Sequence, residues 1–82
     1  MNKTERFYEQ YEKTFTQLYQ TNVPGIQQMY SQMFGEKAAS ALQNESLRHY
    51  GEVTGLRHAA DIFGISFDKL DEIEQKVANS FK

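Results

Sequence analysis

Two histidines are the first residues to weigh for chemistry. His49 has Glu45 four residues before it and Glu52 three residues after it, and His58 has Asp61 three residues after it. On a helix, residues three and four apart share a face. Each imidazole could therefore sit beside a carboxylate, a pairing that metal sites use. The di-iron helical bundles need a Glu-x-x-His pair twice, and the chain has none. The same spacings arise on any solvated helix with local ion pairs, so no metal ligand is assigned.

Nucleophile frames are missing as well. Ser40, Ser46, Ser66 and Ser80 lack a Gly-x-Ser-x-Gly setting. Gly51 and Gly55 are not followed by lysine and a hydroxyl residue, so there is no phosphate-cradling loop. The chain has no cysteine, which removes disulfides, thiol nucleophiles and cysteine-type zinc sites together. Once a core is filled, 82 residues leave little room for a cavity that excludes water. The expectation is a non-enzymatic protein with no catalytic residue, no metal and no cofactor.

The elements that would carry these side chains read as helices. Phe7, Tyr11, Phe15 and Leu18 recur at spacings of four, four and three, which predicts a helix over residues 2–20. Asn2 with Glu5 three residues later matches a capping box at its start. Thr21-Asn22-Val23-Pro24-Gly25 breaks it, because proline biases Val23 away from helix and is itself tolerated in a first helical turn. Ile26, Met29, Tyr30, Met33 and Phe34 then fall at i, i+3, i+4, i+7 and i+8, a second helix that Gly35 ends.

A third helix is predicted from about Glu36 to Val53, with a thinner stripe of Ala39, Leu42, Ser46, Tyr50 and Val53. Gly51 and Gly55 each cost a helix roughly 1 kcal/mol against alanine. A break is expected near Thr54-Gly55, with one continuous helix through Phe63 as the alternative. A short fourth helix, Leu56 to Phe63, then presents Leu56, Ala59, Ala60 and Phe63. Gly64-Ile65-Ser66 makes a turn, with Ser66 capping the last helix and Ile65 stapled on Leu70. That helix buries Leu70, Ile73, Val77 and Phe81. No stretch reads as a strand and no linker divides the chain. The expected fold is one all-α domain over residues 1–82, a compact bundle of four or five short helices with a helix-turn-helix-like corner near the C-terminus.

Charge narrows the partners. The net charge is −2. Acids and bases balance through residue 60, and the negative excess lies in Asp61, Asp68, Asp71, Glu72 and Glu74. That is a poor footprint for non-specific nucleic-acid binding. Thr14 to Gly35 is free of formal charge, yet five glutamines there argue against a membrane span. The charged start, Met1 to Arg6, does not resemble a signal peptide. With no cysteine to staple a domain this small, a cytoplasmic setting is expected.

Leu56 to Glu74 resembles the helix-turn-helix of DNA-binding repressors and sigma-factor region 4. Ala60 matches the small residue of the first helix, Gly64 the turn, Ile65 and Ser66 the apolar and capping residues, and Leu70 and Ile73 the anchors of the second helix. The resemblance implies a small transcriptional regulator reading a major groove with residues 66–71. Its DNA-contact candidates are Arg48, Arg57, His58, Ser66, Phe67 and Lys69, with His49 nearby. The departure is chemical. The second helix offers Asp68, Asp71 and Glu72 where base readout uses Arg, Lys, Asn and Gln. DNA is therefore the disfavoured alternative.

The favoured reading is a regulator or adaptor that binds another protein, and also itself as a homodimer. The second helix is uncharged and carries methionine and aromatic residues, the composition of interface cores. Ile26, Met29, Tyr30 and Met33 are its interface candidates. Asp68, Asp71 and Glu72 form a second surface, suited to a basic protein partner. An inhibitor or accessory protein of a mobile element is one role of this kind.

Overall fold

Asn2 starts the first helix as its spacing predicts: its Oδ1 accepts the Glu5 N–H at 2.8 Å. In the computed structural model, which describes residues 2–23 and 25–81, four helices follow in chain order. They are α1 (Lys3–Gln20), α2 (Ile26–Phe34), α3 (Glu36–Phe63) and α4 (Phe67–Ser80). No strand occurs among the described residues. The expected all-α bundle forms, with four helices. The proline expected to start the second helix, Pro24, lies outside the described residues.

The break expected near Thr54-Gly55 does not occur. α3 runs unbroken for 28 residues, through both Gly51 and Gly55. The reason is packing periodicity. Ala39, Leu42, Ser46, His49, Val53, Leu56 and Ala60 alternate spacings of three and four, and all are buried or half-buried. A single seam of that kind rewards one straight helix, and tertiary packing outweighs the roughly 1 kcal/mol cost of each glycine. The same seam corrects two further expectations. His49, not Tyr50, faces the core: His49 is 7% exposed and Tyr50 63%. Phe63 lies off the seam and is 76% exposed.

Gly64 stops α3 with a left-handed φ of 72°. The Ile65 N–H reaches the Ala60 carbonyl at 2.8 Å, and the Gly64 N–H the Asp61 carbonyl at 3.3 Å. This is a Schellman ending, which satisfies carbonyls the helix would leave free. Ile65 lies half-buried against the core. Ser66 occupies the N-cap position of α4, but its side chain makes no capping bond.

Three helices enclose the core. Tyr11 meets Arg57 and Glu74, Glu12 pairs with Lys76 at 2.8 Å, and the rings of Tyr19 and Phe81 lie 5.4 Å apart. The pairs 11–74, 12–76 and 19–81 make α4 parallel to α1, and Tyr11–Arg57 with Asn22–Ser46 makes α3 antiparallel to them. Tyr11, Val53, Ala60, Leu70, Ile73 and Val77 form the buried cluster. The start of α3 lies beyond this body. At the end of α1, the Asn22 amide donates to the Leu18 carbonyl at 2.9 Å and to Ser46 Oγ at 2.5 Å. The chain then returns along the first turns of α3, and only Gly35 (φ 92°) separates α2 from α3. α2 touches α3 and no other helix. Residues 25–45 thus form a two-helix arm on a three-helix body, consistent with extents of 44 × 24 × 19 Å.

Candidate protein-binding surface

The arm contains no buried residue. In the body, the α3 seam is closed by α1 and α4. In the arm the same seam meets α2 alone, so Ala39 and Leu42 are only half-buried. α2 has a complete apolar stripe and buries none of it. Met29 is 44% exposed, and Met33 and Phe34 are 65% exposed, while Ile26 and Tyr30 are half-covered. The Phe34 ring sits edge-on to Tyr30 at 5.5 Å, which holds two aromatic rings together on this helix.

Met29, Met33 and Phe34 thus make an exposed apolar patch on α2, of the kind that is a candidate interaction site. Its chemistry agrees. Between residues 23 and 44 the only charged residues are Glu36 and Lys37. Interface cores are depleted in charge and enriched in aromatic residues and methionine. The structure therefore brings together Ile26, Met29, Tyr30 and Met33, the four interface candidates of the second helix. It adds Phe34, which belongs to the same stripe and is 65% exposed.

Asp68, Asp71 and Glu72, the second candidate group, are all exposed on α4. They are not equally free. Asp71 meets Arg57 at 3.4 Å, and Glu72 meets Lys69 at 3.4 Å.

The positions named for DNA contact are spread over two helices. Arg48 is exposed and paired with Glu45 at 2.7 Å and Glu52 at 3.7 Å. Arg57 is drawn inward. It binds Glu74, donates to the Tyr11 hydroxyl at 3.2 Å and lies 5.0 Å over the Phe67 ring. His58 is exposed beside Ile62 and Phe67 in an open groove that Arg57 and Asp61 also line. Ser66, Phe67 and Lys69 are exposed at the start of α4.

The Tyr11–Arg57–Glu74 group is a feature the sequence reading missed. It joins α1, α3 and α4. Burial, and next the hydrogen bond to Glu74, push the Tyr11 phenol up to about 12. The bond to Tyr11 holds the Arg57 guanidinium above its usual value. Its members lie up to 63 positions apart, so no local spacing in the sequence signals it.

His49 is placed differently from the metal-site idea. Its Nδ1 is buried without a hydrogen-bond partner and lies 3.6 Å from Glu52 Oε1. Among the described residues, no group of three or more His, Asp or Glu side chains is arranged to hold a metal ion. No described helix is long and apolar enough to cross a membrane.

A second apolar patch lies at the α3–α4 corner, where Ile62 is 78% exposed, Phe63 76% and Phe67 41%. It is broken up by Arg57, His58 and Asp61 in the adjoining groove. No family model, curated protein or solved structure matches this chain.

Proposed function

We propose that this chain is a non-enzymatic regulator or adaptor that acts by binding another protein through the arm. One observation carries the reading: α2 has an unbroken apolar stripe and not one buried residue. An amphipathic helix ordinarily buries its stripe within its own domain. Here the stripe is left for something else to cover. Met29, Met33 and Phe34 supply the anchors, with Ile26 and Tyr30 beside them. Gln27, Gln28 and Gln32, all exposed, supply a polar rim without charge. Asp68 adds orientation toward a basic partner surface, with Asp71 and Glu72 shared with Arg57 and Lys69 beside it.

The test places a photo-crosslinking side chain at Met33, and separately at Glu9 on the exposed side of α1. Both are exposed to light in cells that make the protein. A discrete protein adduct from position 33 and none from position 9 is expected. Equal, diffuse labelling from both positions contradicts the reading.

DNA binding draws less support from the same geometry. Arg48, Arg57 and Lys69 are each already held by carboxylates. A mobility-shift titration decides that alternative, since DNA binding would weaken steeply with added salt.

A further inference from the structure

We infer that Met29 and Met33 form a reversible oxidation site, and that their sulfoxides switch off the apolar face of α2 while leaving the fold intact. The inference rests on α2 being a binding surface and names what regulates it.

The distribution of oxidisable groups carries it. The chain has no cysteine and no tryptophan, and three methionines. Thioethers are therefore the side chains that a peroxide oxidises most readily here. Met1 lies outside the described residues. The other two both lie on α2, four residues apart and so on one face. Met29 is 44% exposed and Met33 65%. The buried cluster of the body contains no methionine. An oxidant in solution thus reaches both α2 sulfur side chains without unfolding the chain, and Met33 first.

The co-reactant is hydrogen peroxide. A thioether lone pair attacks one peroxide oxygen, and an S–O bond forms as the O–O bond breaks. The sulfur loses two electrons and the peroxide gains them. The proton on the transferred oxygen passes to the departing hydroxide, which leaves as water. Methionine sulfoxide reductases reverse the change.

The consequence differs between the free and the bound chain. A sulfoxide is polar and chiral where the thioether was flexible and apolar, and inside a core it disrupts packing. No residue of the arm, 25–45, is buried. Both sulfoxide oxygens therefore stay in water in the free chain, and the helices keep their contacts. The cost arises when a partner covers α2, because each oxygen then loses its water without gaining a donor. Met29 and Met33 are two of the three exposed anchors of this face, Phe34 being the third. Their oxidation should weaken binding by at least about fivefold.

Two measurements test this together. Purified full-length chain is treated with dilute hydrogen peroxide, and its peptides are weighed by mass spectrometry. Sulfoxide should form at Met33 faster than at Met29. The helical circular dichroism should be unchanged and the melting temperature should stay within about 3 °C of the untreated chain. Sulfoxides that form only on unfolding, or that unfold the chain, overturn the inference. The second measurement places a photo-crosslinking side chain at Phe34 in cells, in the wild-type chain and in a Met29→Leu, Met33→Leu double variant. Leucine keeps the stripe apolar at similar volume and is not oxidised. Met1 is common to both chains and cancels in the comparison. Peroxide should lower a discrete adduct of the wild-type chain at least about fivefold and spare that of the double variant. An adduct that persists with both sulfoxides formed overturns the switch and leaves the binding reading standing. So does an equal loss in both chains. No adduct from either chain before peroxide overturns the binding reading and the switch with it.

Discussion

The Tyr11 hydroxyl donates to Glu74 Oε2 at 2.5 Å, and Arg57, which binds that same carboxylate oxygen, also donates to the hydroxyl at 3.2 Å. Tyr11 is fully buried, and its ring stacks on Phe15 at 6.2 Å. One phenol thus fixes the register of α1 against both α3 and α4. Tyr11→Phe keeps the ring and removes the polar tip, leaving the Arg57–Glu74 pair in place. The expected loss is about 1.5–3 kcal/mol, the value of a hydrogen bond to a charged group. Urea unfolding measures it.

The same phenol makes stability depend on alkaline pH. Its pKa rises from 10.0 to about 12 on folding. The folded chain therefore holds this proton more tightly than the unfolded chain does. Its contribution is whole below pH 10 and is lost as pH rises toward about 12. It amounts to roughly 2–3 kcal/mol. Other tyrosines and the lysines titrate in this range, so the comparison is with Tyr11→Phe. Between pH 9 and pH 11.5 the wild-type chain should lose more stability than the variant. Equal losses would show that Tyr11 does not couple to folding.

Gly51 and Gly55 lie inside α3 with open space around an added Cβ and with no positive φ. Alanine at either position should stabilise the chain by about 0.5–1 kcal/mol, by relieving the entropic cost of glycine in a helix. Gly64 is the contrast, because its φ of 72° is left-handed. Gly64→Ala should cost about 1–2 kcal/mol. Thermal unfolding of the three variants checks both signs. A loss of stability in Gly55→Ala would mean that the helix is broken there.

His49 carries a buried ring nitrogen with no partner. Leaving a buried polar group unsatisfied costs about 1–3 kcal/mol. His49→Leu should therefore raise the unfolding free energy by about 1 kcal/mol. A large loss in chemical denaturation would mean that the imidazole serves a structural bond after all.

The four helices were legible because apolar residues at helical spacing must be buried together. α1, α2 and α4 lie close to where Phe7–Leu18, Ile26–Phe34 and Leu70–Val77 predict them. The continuity of α3 was obscured by its composition. Its seam includes His49, a polar residue that a hydrophobic count passes over, while Tyr50 next to it drew the stripe to the wrong face. The two glycines reinforced that error. Spacing alone, three and four alternating from Ala39 to Ala60, carried the right answer. The α2 surface was legible in its lack of charge. Its exposure was not, because sequence periodicity says that a stripe exists without saying how many neighbours cover it. The Tyr11–Arg57–Glu74 group joins residues up to 63 positions apart, and no local pattern announces such a contact.

The central claim is that the α2 stripe is surface in the single chain. Met33→Asp tests it most directly, measured by far-ultraviolet circular dichroism and thermal unfolding in dilute solution, at about 1 μM, where association is negligible. The account expects an unchanged helical spectrum and an unfolding free energy within about 0.5 kcal/mol of wild type, as for exposed positions. An unfolded variant, or a loss of several kcal/mol as for a charge forced into a core, would contradict it.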